Sequence, residues 1–321
     1  MNFCRLYPAF LAWHFVFVLA IAFSHPRAYD LTKGGLCHMK RIVTLQDISC
    51  LGRCSSTVAL PVISAMGVEC AVVPTAVLST HTMFSGFTCL DLSDQIAPIA
   101  KHWKEQGFHF DAIYTGYLAS PAQCGQILDF FQEFRDSSPL IFVDPAMADH
   151  GKLYAAFGPE FPKAMAQVCA QADIIAPNLT EACLLTGTAY DPAPCPQYME
   201  DLLKKLLDLG CRQALLTGVA TQPGQVGVWG MDQTGRSFSH ALPRLPQSYH
   251  GTGDLFASVC VGGLMNGLSL ERSAQVAAAF VSACIAATAA NPQAGWYGVE
   301  FEGQIPTLLS LLRQAKEASS T

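Results

Sequence analysis

Short runs of β-branched apolar residues alternate with longer stretches of helical pattern from residue 41 to the end of the chain. This alternation predicts strands that are joined by helices, in a mainly parallel sheet that helices cover on both faces. The predicted strands are Arg41–Asp47, Glu69–Val77, Ala112–Leu118, Leu140–Pro145, Asp173–Pro177, Ala214–Val219, Gln225–Met231 and Ser237–Leu242. The predicted helices are Ser55–Met66, Ser93–Gln106, Pro121–Arg135, Lys163–Gln171, Pro196–Leu209, Gly253–Asn266, Leu270–Ala290 and Ile305–Lys316.

The last two predicted strands break this alternation, because no helix separates them. They flank Asp232-Gln233-Thr234-Gly235, a sequence typical of a turn, and so predict an antiparallel hairpin at one edge of the sheet. No linker, repeat or low-complexity tract follows residue 39. The sequence therefore predicts one α/β domain over residues 39–321.

Residues 1–38 differ in character from the rest of the chain. Phe10–Phe23 is a continuous apolar run that is short for a membrane span and resembles the core of a signal peptide. Three interpretations are open: a signal peptide, a membrane anchor, or upstream sequence that a wrong start codon has added. We favour the third, because Met39 leads directly into a predicted strand and Lys33-Gly34-Gly35 can be encoded by a ribosome-binding sequence.

The composition is that of a globular protein, with 51% hydrophobic and 14% charged residues. A net charge of −6 without a basic run disfavours nucleic-acid binding. The 13 cysteines are odd in number, and Cys50 and Cys54 lack a second Cys/His pair at zinc-ligand spacing. We therefore expect reduced, packed thiols in a cytoplasmic protein without a membrane partner.

A glycine turn, Gly251-Thr252-Gly253-Asp254, runs directly into a predicted helix. A helix start presents free N–H groups and a partial positive charge, so it can hold an anion, and glycines let that anion approach the backbone. A carboxylate beside such a site suits phosphoryl transfer, because it can take a proton from an attacking hydroxyl. The alternative is a helix cap, since Thr252 and Asp254 are both capping types, and these four residues alone favour the cap.

Polar or acidic side chains follow most of the predicted strands. In mainly parallel sheets, ligands bind beyond the carboxyl ends of the strands, so we expect these side chains to converge on one composite active site. The residues concerned are Asp47, Thr80-His81-Thr82, Tyr117, Asp144, Asn178, Glu181 and Thr217. Each of them taken alone favours a loop or capping role, and for His81 a plain loop position is at least as well supported as a substrate contact.

Asn178-Leu179-Thr180-Glu181 places an amide and a carboxylate three residues apart at a helix start. A carboxylate, an amide oxygen and waters suit Mg²⁺ bound to phosphate oxygens. A capping box between Asn178 and Glu181 is the alternative, and both roles can hold at once. Asp144 either caps the following turn or helps to bind the metal and phosphate. The chain contains no GxxxxGK[ST] loop, HExxH pair or GxSxG elbow.

With these motifs, the chain resembles the ribokinase-like superfamily and, within it, the pyridoxal kinases. The general resemblance lies in GTGD at 251–254 and NLTE at 178–181, and it extends over essentially residues 39–321. More specific are LQDISCLGRCSSTVALPVISAMG at 45–67, PTAVLSTHT at 74–82, TGYLAS at 115–120, DPAMADHGKLY at 144–154 and APNLTE at 176–181.

This resemblance implies a three-layer sandwich that phosphorylates the 5′-hydroxymethyl group of pyridoxal, pyridoxamine or pyridoxine with ATP. It also implies Mg²⁺, possible use of K⁺, and a homodimer. Asp254 would be the base that deprotonates the hydroxyl, and the anion hole would consist of Gly251, Thr252 and Gly253. The metal and phosphates would lie at Asp144, Asn178 and Glu181.

The resemblance places Ala176 and Thr217 near the nucleotide, and Asp47, Thr82 and Tyr117 around the pyridine ring. The sequence departs from the familiar pattern at three positions: Asp47 stands where serine is familiar, Met83 where glutamine is, and Thr217 where a lysine often contacts nucleotide. The first two leave the preferred vitamer open and the third leaves the ATP contact open. Hydroxymethylpyrimidine kinase and a non-catalytic B6-binding protein are the rival functions, and a form tethered to the membrane by residues 10–23 is a third possibility.

Overall fold

The computed structural model describes residues 39–137, 139–220 and 222–319. The strands are β1 Arg41–Leu51, β2 Glu69–Thr80, β3 Cys89–Asp91, β4 Ala112–Thr115, β5 Leu140–Val143, β6 Ala148–Asp149, β7 Lys152–Leu153, β8 Ile174–Ile175, β9 Gln213–Val219, β10 Gln225–Asp232 and β11 Ser237–Pro243. The α-helices are α1 Ser56–Ala65, α2 Ser93–Glu105, α3 Pro121–Glu133, α4 Phe161–Ala170, α5 Leu179–Thr186, α6 Pro196–Leu207, α7 Thr252–Met265, α8 Leu270–Ala290 and α9 Ile305–Ser319. Short 3₁₀ helices lie at Arg135–Ser137 and Glu302–Gln304. The predictions on residues 1–38 fall outside the described residues and stay predictions.

Nine of these strands form one sheet in the order β11-β10-β9-β8-β5-β4-β1-β2-β3. The pairs from β9 through β2 are parallel, whereas β10, β11 and β3 run antiparallel to their neighbours. The predicted parallel sheet and its edge hairpin are therefore confirmed. β6 and β7 form a separate two-stranded ribbon in the segment that follows β5.

The two faces of the sheet bury separate cores, because successive residues of a strand point to opposite sides. In β1, Ile42 joins the core under α1, α7, α8 and α9, whereas Val43 joins the core under α2 to α6. The central strands β4 and β5 divide their side chains in the same way. This arrangement confirms the predicted three-layer sandwich.

Several boundaries differ from the predicted ones. β1 and β2 continue to Leu51 and Thr80, so Asp47 lies inside a strand, at a register shift between Gln46 and Ile48, and not at its end. β3 was not predicted, because a three-residue exposed edge strand carries no apolar alternation. The helix α5 has only eight residues, which is too short for a periodic pattern to identify.

One described helix, α8, is long and apolar enough to cross a membrane. It is also a core helix, since Ala277, Phe280 and Cys284 are fully buried in the core that it shares with α7. Length and composition alone are therefore weak evidence for a span. Seven of the eleven described cysteines are buried, as expected for thiols that pack like small apolar side chains.

Candidate active site

The glycine turn and the start of α7 form the centre of the candidate site. Gly251 is the N-cap residue in a left-handed conformation with φ 79°, and a Cβ there would overlap the carbonyl oxygen of Arg53. Only glycine fits this position without strain. Among the described residues no side chain caps α7, and the Thr252 hydroxyl donates instead to the Tyr249 carbonyl oxygen at 3.2 Å. The side-chain cap that these residue types favoured is therefore wrong.

Asp254 lies in the first turn of α7 and its side chain is partly buried. Burial raises the pKa of Asp254 to about 7, the Ser55 backbone N–H opposes this rise, and the negative charge of Asp47 adds to it. A carboxyl group with a pKa near neutrality is well matched to general base catalysis. The electrostatics of the site thus suit the role that the sequence assigns to this residue.

Asp144 follows β5 directly and is buried beside two other carboxylates. Burial raises its pKa well above the usual range, and the charges of Glu181 and then Asp254 raise it further. No lysine or arginine in the described ranges forms an ion pair with any of these three acids. The negative charge around Asp144 is therefore not offset by a cationic side chain, which favours a cation near this residue.

Asn178 and Glu181 form the capping box that the sequence offered as an alternative. The Glu181 N–H donates to Asn178 Oδ1 at 3.0 Å, and the Asn178 N–H donates to Glu181 Oε2 at 2.8 Å. Glu181 Oε1 accepts from the Met147 N–H at 3.1 Å, and Asn178 Nδ2 donates to the Ala148 carbonyl at 2.8 Å. These bonds tie the segment after Asp144 to the start of α5.

The donor set fits Mg²⁺ in part. Among the described residues no group of three or more His, Cys, Asp or Glu side chains is arranged to hold a metal ion. Mg²⁺ usually keeps several waters and takes one or two carboxylates plus substrate phosphates, so Asp144 with Glu181 nearby is a sufficient protein contribution. Asn178 would have to share its Oδ1 with the Glu181 N–H, and its role as a ligand stays a prediction.

Asp47 marks the other end of the site. It is buried, it accepts a hydrogen bond from the Ser49 hydroxyl at 2.9 Å, and burial raises its pKa. Burial and then the Asp47 charge raise the pKa of Tyr117 to about 12. The same charge also raises the pKa of Asp254, so Asp47 acts on both residues.

Thr82 is exposed on the turn after β2, whereas its neighbour His81 is buried. His81 Nε2 lies 2.8 Å from the Tyr297 carbonyl oxygen, and its ring centroid lies 4.3 Å from that of His250. His81 thus lies in a loop, as one of its two interpretations had it, and a contact with substrate stays a prediction. Burial lowers the pKa of His81, and the hydrogen bond with the Tyr297 backbone and then the charge of Asp47 oppose this.

Of the two residues predicted near the nucleotide, Ala176 follows β8 directly, whereas Thr217 lies inside β9 and not at a strand end as predicted. The Ala176 N–H donates to the Val143 carbonyl at 2.9 Å, and Thr217 forms a parallel bridge with Asn178. The Thr217 N–H donates to the Pro177 carbonyl at 3.0 Å. Both therefore adjoin the capping box, and their contact with nucleotide stays a prediction.

Sequence reasoning missed the segment between β1 and α1. Arg53 presents its carbonyl oxygen to Gly251 and pairs through Nε with Glu302 at 2.8 Å. Ser55 has φ 49°, which is rare for a residue with a side chain, and such strain often occurs at functional sites. Its N–H and hydroxyl lower the pKa of Asp254 and Asp47 respectively. The glycine and the two serines in GRCSS after a strand were the available signal.

The activity is expected to depend on pH through Asp254. A base must be ionised to accept a proton, and burial raises the pKa of this carboxyl to about 7. We expect kcat/KM to be constant above about pH 8 and to fall about tenfold per pH unit well below pH 7. Measuring the pH profile with two alcohol substrates that have different pKa values distinguishes ionisation of the enzyme from ionisation of the substrate. A profile that stays flat down to about pH 5 would contradict this assignment.

A family model described as phosphomethylpyrimidine kinase matches residues 59–299. A pyridoxine/pyridoxal/pyridoxamine kinase of Bordetella avium is 29% identical over 262 residues, which cover 77% of this chain and 85% of the relative. The structure of pyridoxal kinase from Lactobacillus plantarum is 33% identical with a TM-score of 0.78, over 86% of this chain and 98% of that one.

A phosphomethylpyrimidine kinase from Bacteroides thetaiotaomicron, solved in a crystal form with pyridoxal, is 38% identical with a TM-score of 0.80. The match covers 84% of this chain and 96% of that one. Together with the family model, these similarities span the turn at Gly251, Asp254 and the capping box. The chain therefore belongs to the phosphomethylpyrimidine kinase family, in the branch of the ribokinase-like superfamily that contains the pyridoxal kinases.

Proposed function

We propose that this kinase transfers the γ-phosphoryl group of ATP to the 5′-hydroxymethyl group of pyridoxal, pyridoxamine or pyridoxine. The observation that carries the proposal is Asp254, whose pKa is about 7, at the uncapped start of α7. The names of the Bordetella and Lactobacillus relatives, and the pyridoxal in the Bacteroides crystal, support the substrate class.

In this reaction Asp254 accepts the proton of the substrate hydroxyl as its oxygen attacks phosphorus. The N–H groups at the start of α7 face the transferred phosphoryl group and stabilise the charge that develops on it. Gly253 supports this role, because a Cβ there would meet nothing within 4 Å and the backbone stays open to a ligand. Mg²⁺, when bound near Asp144 and Glu181, would neutralise charge on the ATP phosphates.

The test is a panel of acceptors with ATP and Mg²⁺: the three vitamers and hydroxymethylpyrimidine, each followed by ADP release and by mass analysis of the product. We expect 5′-phosphates from at least one vitamer, with a higher kcat/KM than for the pyrimidine. ADP release without a phosphorylated vitamer would overturn the proposal. The pyrimidine is the second candidate because the family model and the Bacteroides relative carry the phosphomethylpyrimidine name.

The metal role of Asp144 predicts a specific defect. Replacing Asp144 with asparagine keeps the shape of the side chain but removes its charge, so we expect about tenfold more Mg²⁺ to be needed for half-maximal rate. The matched control is Asp149→Asn, which removes an exposed carboxylate from the same segment. An unchanged Mg²⁺ requirement in Asp144→Asn would reject this assignment.

Replacing K⁺ with Na⁺ in the same titration tests the predicted use of K⁺.

We also propose a cytoplasmic homodimer. Buried, unpaired thiols support a reducing compartment. Exposed apolar side chains support self-association: Leu90 on the edge strand β3 is 63%, Met83 in the turn after β2 is 62% and Leu51 at the end of β1 is 50% exposed. Light scattering is expected to give twice the chain mass, and Leu90→Lys is expected to lower it. A monomeric wild-type protein would contradict the homodimer. Activity in the membrane fraction of the native cell would contradict the cytoplasmic location.

A further inference from the structure

Tyr114 is a fully buried tyrosine in the central strand β4. Its ring packs edge-on against Phe142, with centroids 5.8 Å apart, in the core beneath α1 and α7. Its hydroxyl has no hydrogen-bond partner among the described residues. A buried hydroxyl without a partner lowers stability, and phenylalanine would fill the same space without that penalty. The hydroxyl therefore calls for a functional explanation.

A complementary acceptor lies on the neighbouring strand. Gln46 is fully buried, its Nε2 donates to Thr44 Oγ1 at 2.6 Å, and Thr44 pairs in register with Tyr114. Gln46 Oε1 has no partner in the described ranges. Gly116 leaves room for this oxygen, since a Cβ there would lie 2.8 Å from it. An unpaired donor and an unpaired acceptor thus occupy the same buried layer.

The third member of this layer belongs to the catalytic helix. Ser258 is fully buried, and its hydroxyl donates to the backbone carbonyl of Asp254 at 2.6 Å. Burial and then the charges of Asp144 and Asp254 raise the pKa of Tyr114, whereas the Ser258 and Gln46 side chains lower it. Tyr114 packs in the core that α7 covers, and Gln46 lies on the same face of the sheet, two residues after the position that pairs with Tyr114. Ser258 lies on α7 itself, one turn after Asp254, so the three polar side chains share one buried layer.

We propose that Tyr114 is a positioning residue, whose hydroxyl donates to Gln46 Oε1 beside Ser258 during turnover and so holds the first turn of α7 in place. Asp254 and the N–H groups of this turn move as one unit, because a single helical turn carries them. Fixing the turn keeps the base and the anion hole aligned with the transferred phosphoryl group. The inference rests on the proposed function, since it assigns a support to the base of that reaction.

The test compares Tyr114→Phe, Ser258→Ala and the double variant with the wild-type protein. We expect each single variant to lower kcat about five- to twentyfold, the rate equivalent of one hydrogen bond, with KM for vitamer and ATP within about twofold. The double variant should be no slower than the worse single one, because both changes break one network. Tyr198→Phe is the matched control, since its hydroxyl contacts Cys183 Sγ and the Ala189 carbonyl oxygen.

A merely structural hydroxyl would change the melting temperature but not kcat. Wild-type kcat in Tyr114→Phe, or losses that multiply in the double variant, would overturn the inference. If Tyr114→Phe does not fold, Gln46→Met provides the same comparison from the acceptor side, and its wild-type kcat would overturn the inference equally. A wild-type protein without B6 kinase activity would instead overturn the proposed function, so the two failures are distinguishable.

Discussion

Asp254→Asn is expected to lower kcat by about 10²–10⁴-fold, the usual contribution of a positioned general base. Asparagine has the same shape but cannot accept the proton of the substrate hydroxyl. Binding of vitamer and ATP should persist, because the change leaves the anion hole and the pocket around Asp47 intact. Single-turnover assays and equilibrium binding on the same preparation measure both effects. Activity near that of the wild type would reject Asp254 as the base.

The same variant is expected to melt at a higher temperature than the wild type at about pH 8. Burial raises the pKa of Asp254 from 3.8 to about 7, so the ionised form destabilises the folded protein. Below the unfolded pKa of 3.8 the carboxyl group is protonated in both states and does not destabilise the fold. As the pH rises from there through the folded pKa of about 7, the unfolded state ionises first, and the folded protein loses stability. The gain should therefore be a few degrees at about pH 8 and should vanish near pH 4. Asp129→Asn, which changes an exposed acid on α3, is the control.

Gly251→Ala is expected to reduce kcat by at least about a hundredfold and to lower stability by a few kcal/mol. The new Cβ would overlap the Arg53 carbonyl oxygen, and φ 79° is unfavourable for alanine. Relief of this overlap requires the turn to move away from Arg53, which displaces the start of α7. Denaturant unfolding and steady-state kinetics measure the two effects.

Gly253→Ala is the matched control, two residues further along. A Cβ at Gly253 would meet nothing within 4 Å, so folding should be unaffected, while a methyl group near the phosphoryl site slows catalysis. If both variants lose the same stability, the loss comes from replacing any glycine in this turn, and not from the overlap of a Cβ at position 251 with the Arg53 carbonyl oxygen.

The sequence predicted the alternation of strands and helices because each central strand buries both faces and so shows a continuous apolar run. It also predicted that Asp144 and Glu181 follow strands, and β5 ends directly before Asp144 while β8 ends shortly before the helix that carries Glu181. The pattern could not place Asp47, because the register shift at Gln46 and Ile48 is set by pairing with β2 and leaves no mark in the local sequence.

Other features depend on contacts between distant parts of the chain. The lack of a side-chain cap on α7 follows from how Gly251 packs on Arg53, and the burial of His81 follows from its contacts with His250 and Tyr297. The polar layer of Gln46, Tyr114 and Ser258 looks, in sequence, like three unrelated core positions. Only the three-dimensional arrangement shows that they lie together beneath the active site.

The ion pair between Arg53 and Glu302 joins residues that are 249 positions apart, and Gly251 packs on the same arginine. During synthesis, Arg53 emerges with the N-terminal strands and helices, long before Glu302 has left the ribosome. The catalytic turn, by contrast, obtains its full support only when the chain has been made to residue 302. The contact that supports the catalytic turn is therefore completed only late in synthesis, and we expect activity to appear after residue 302 has emerged.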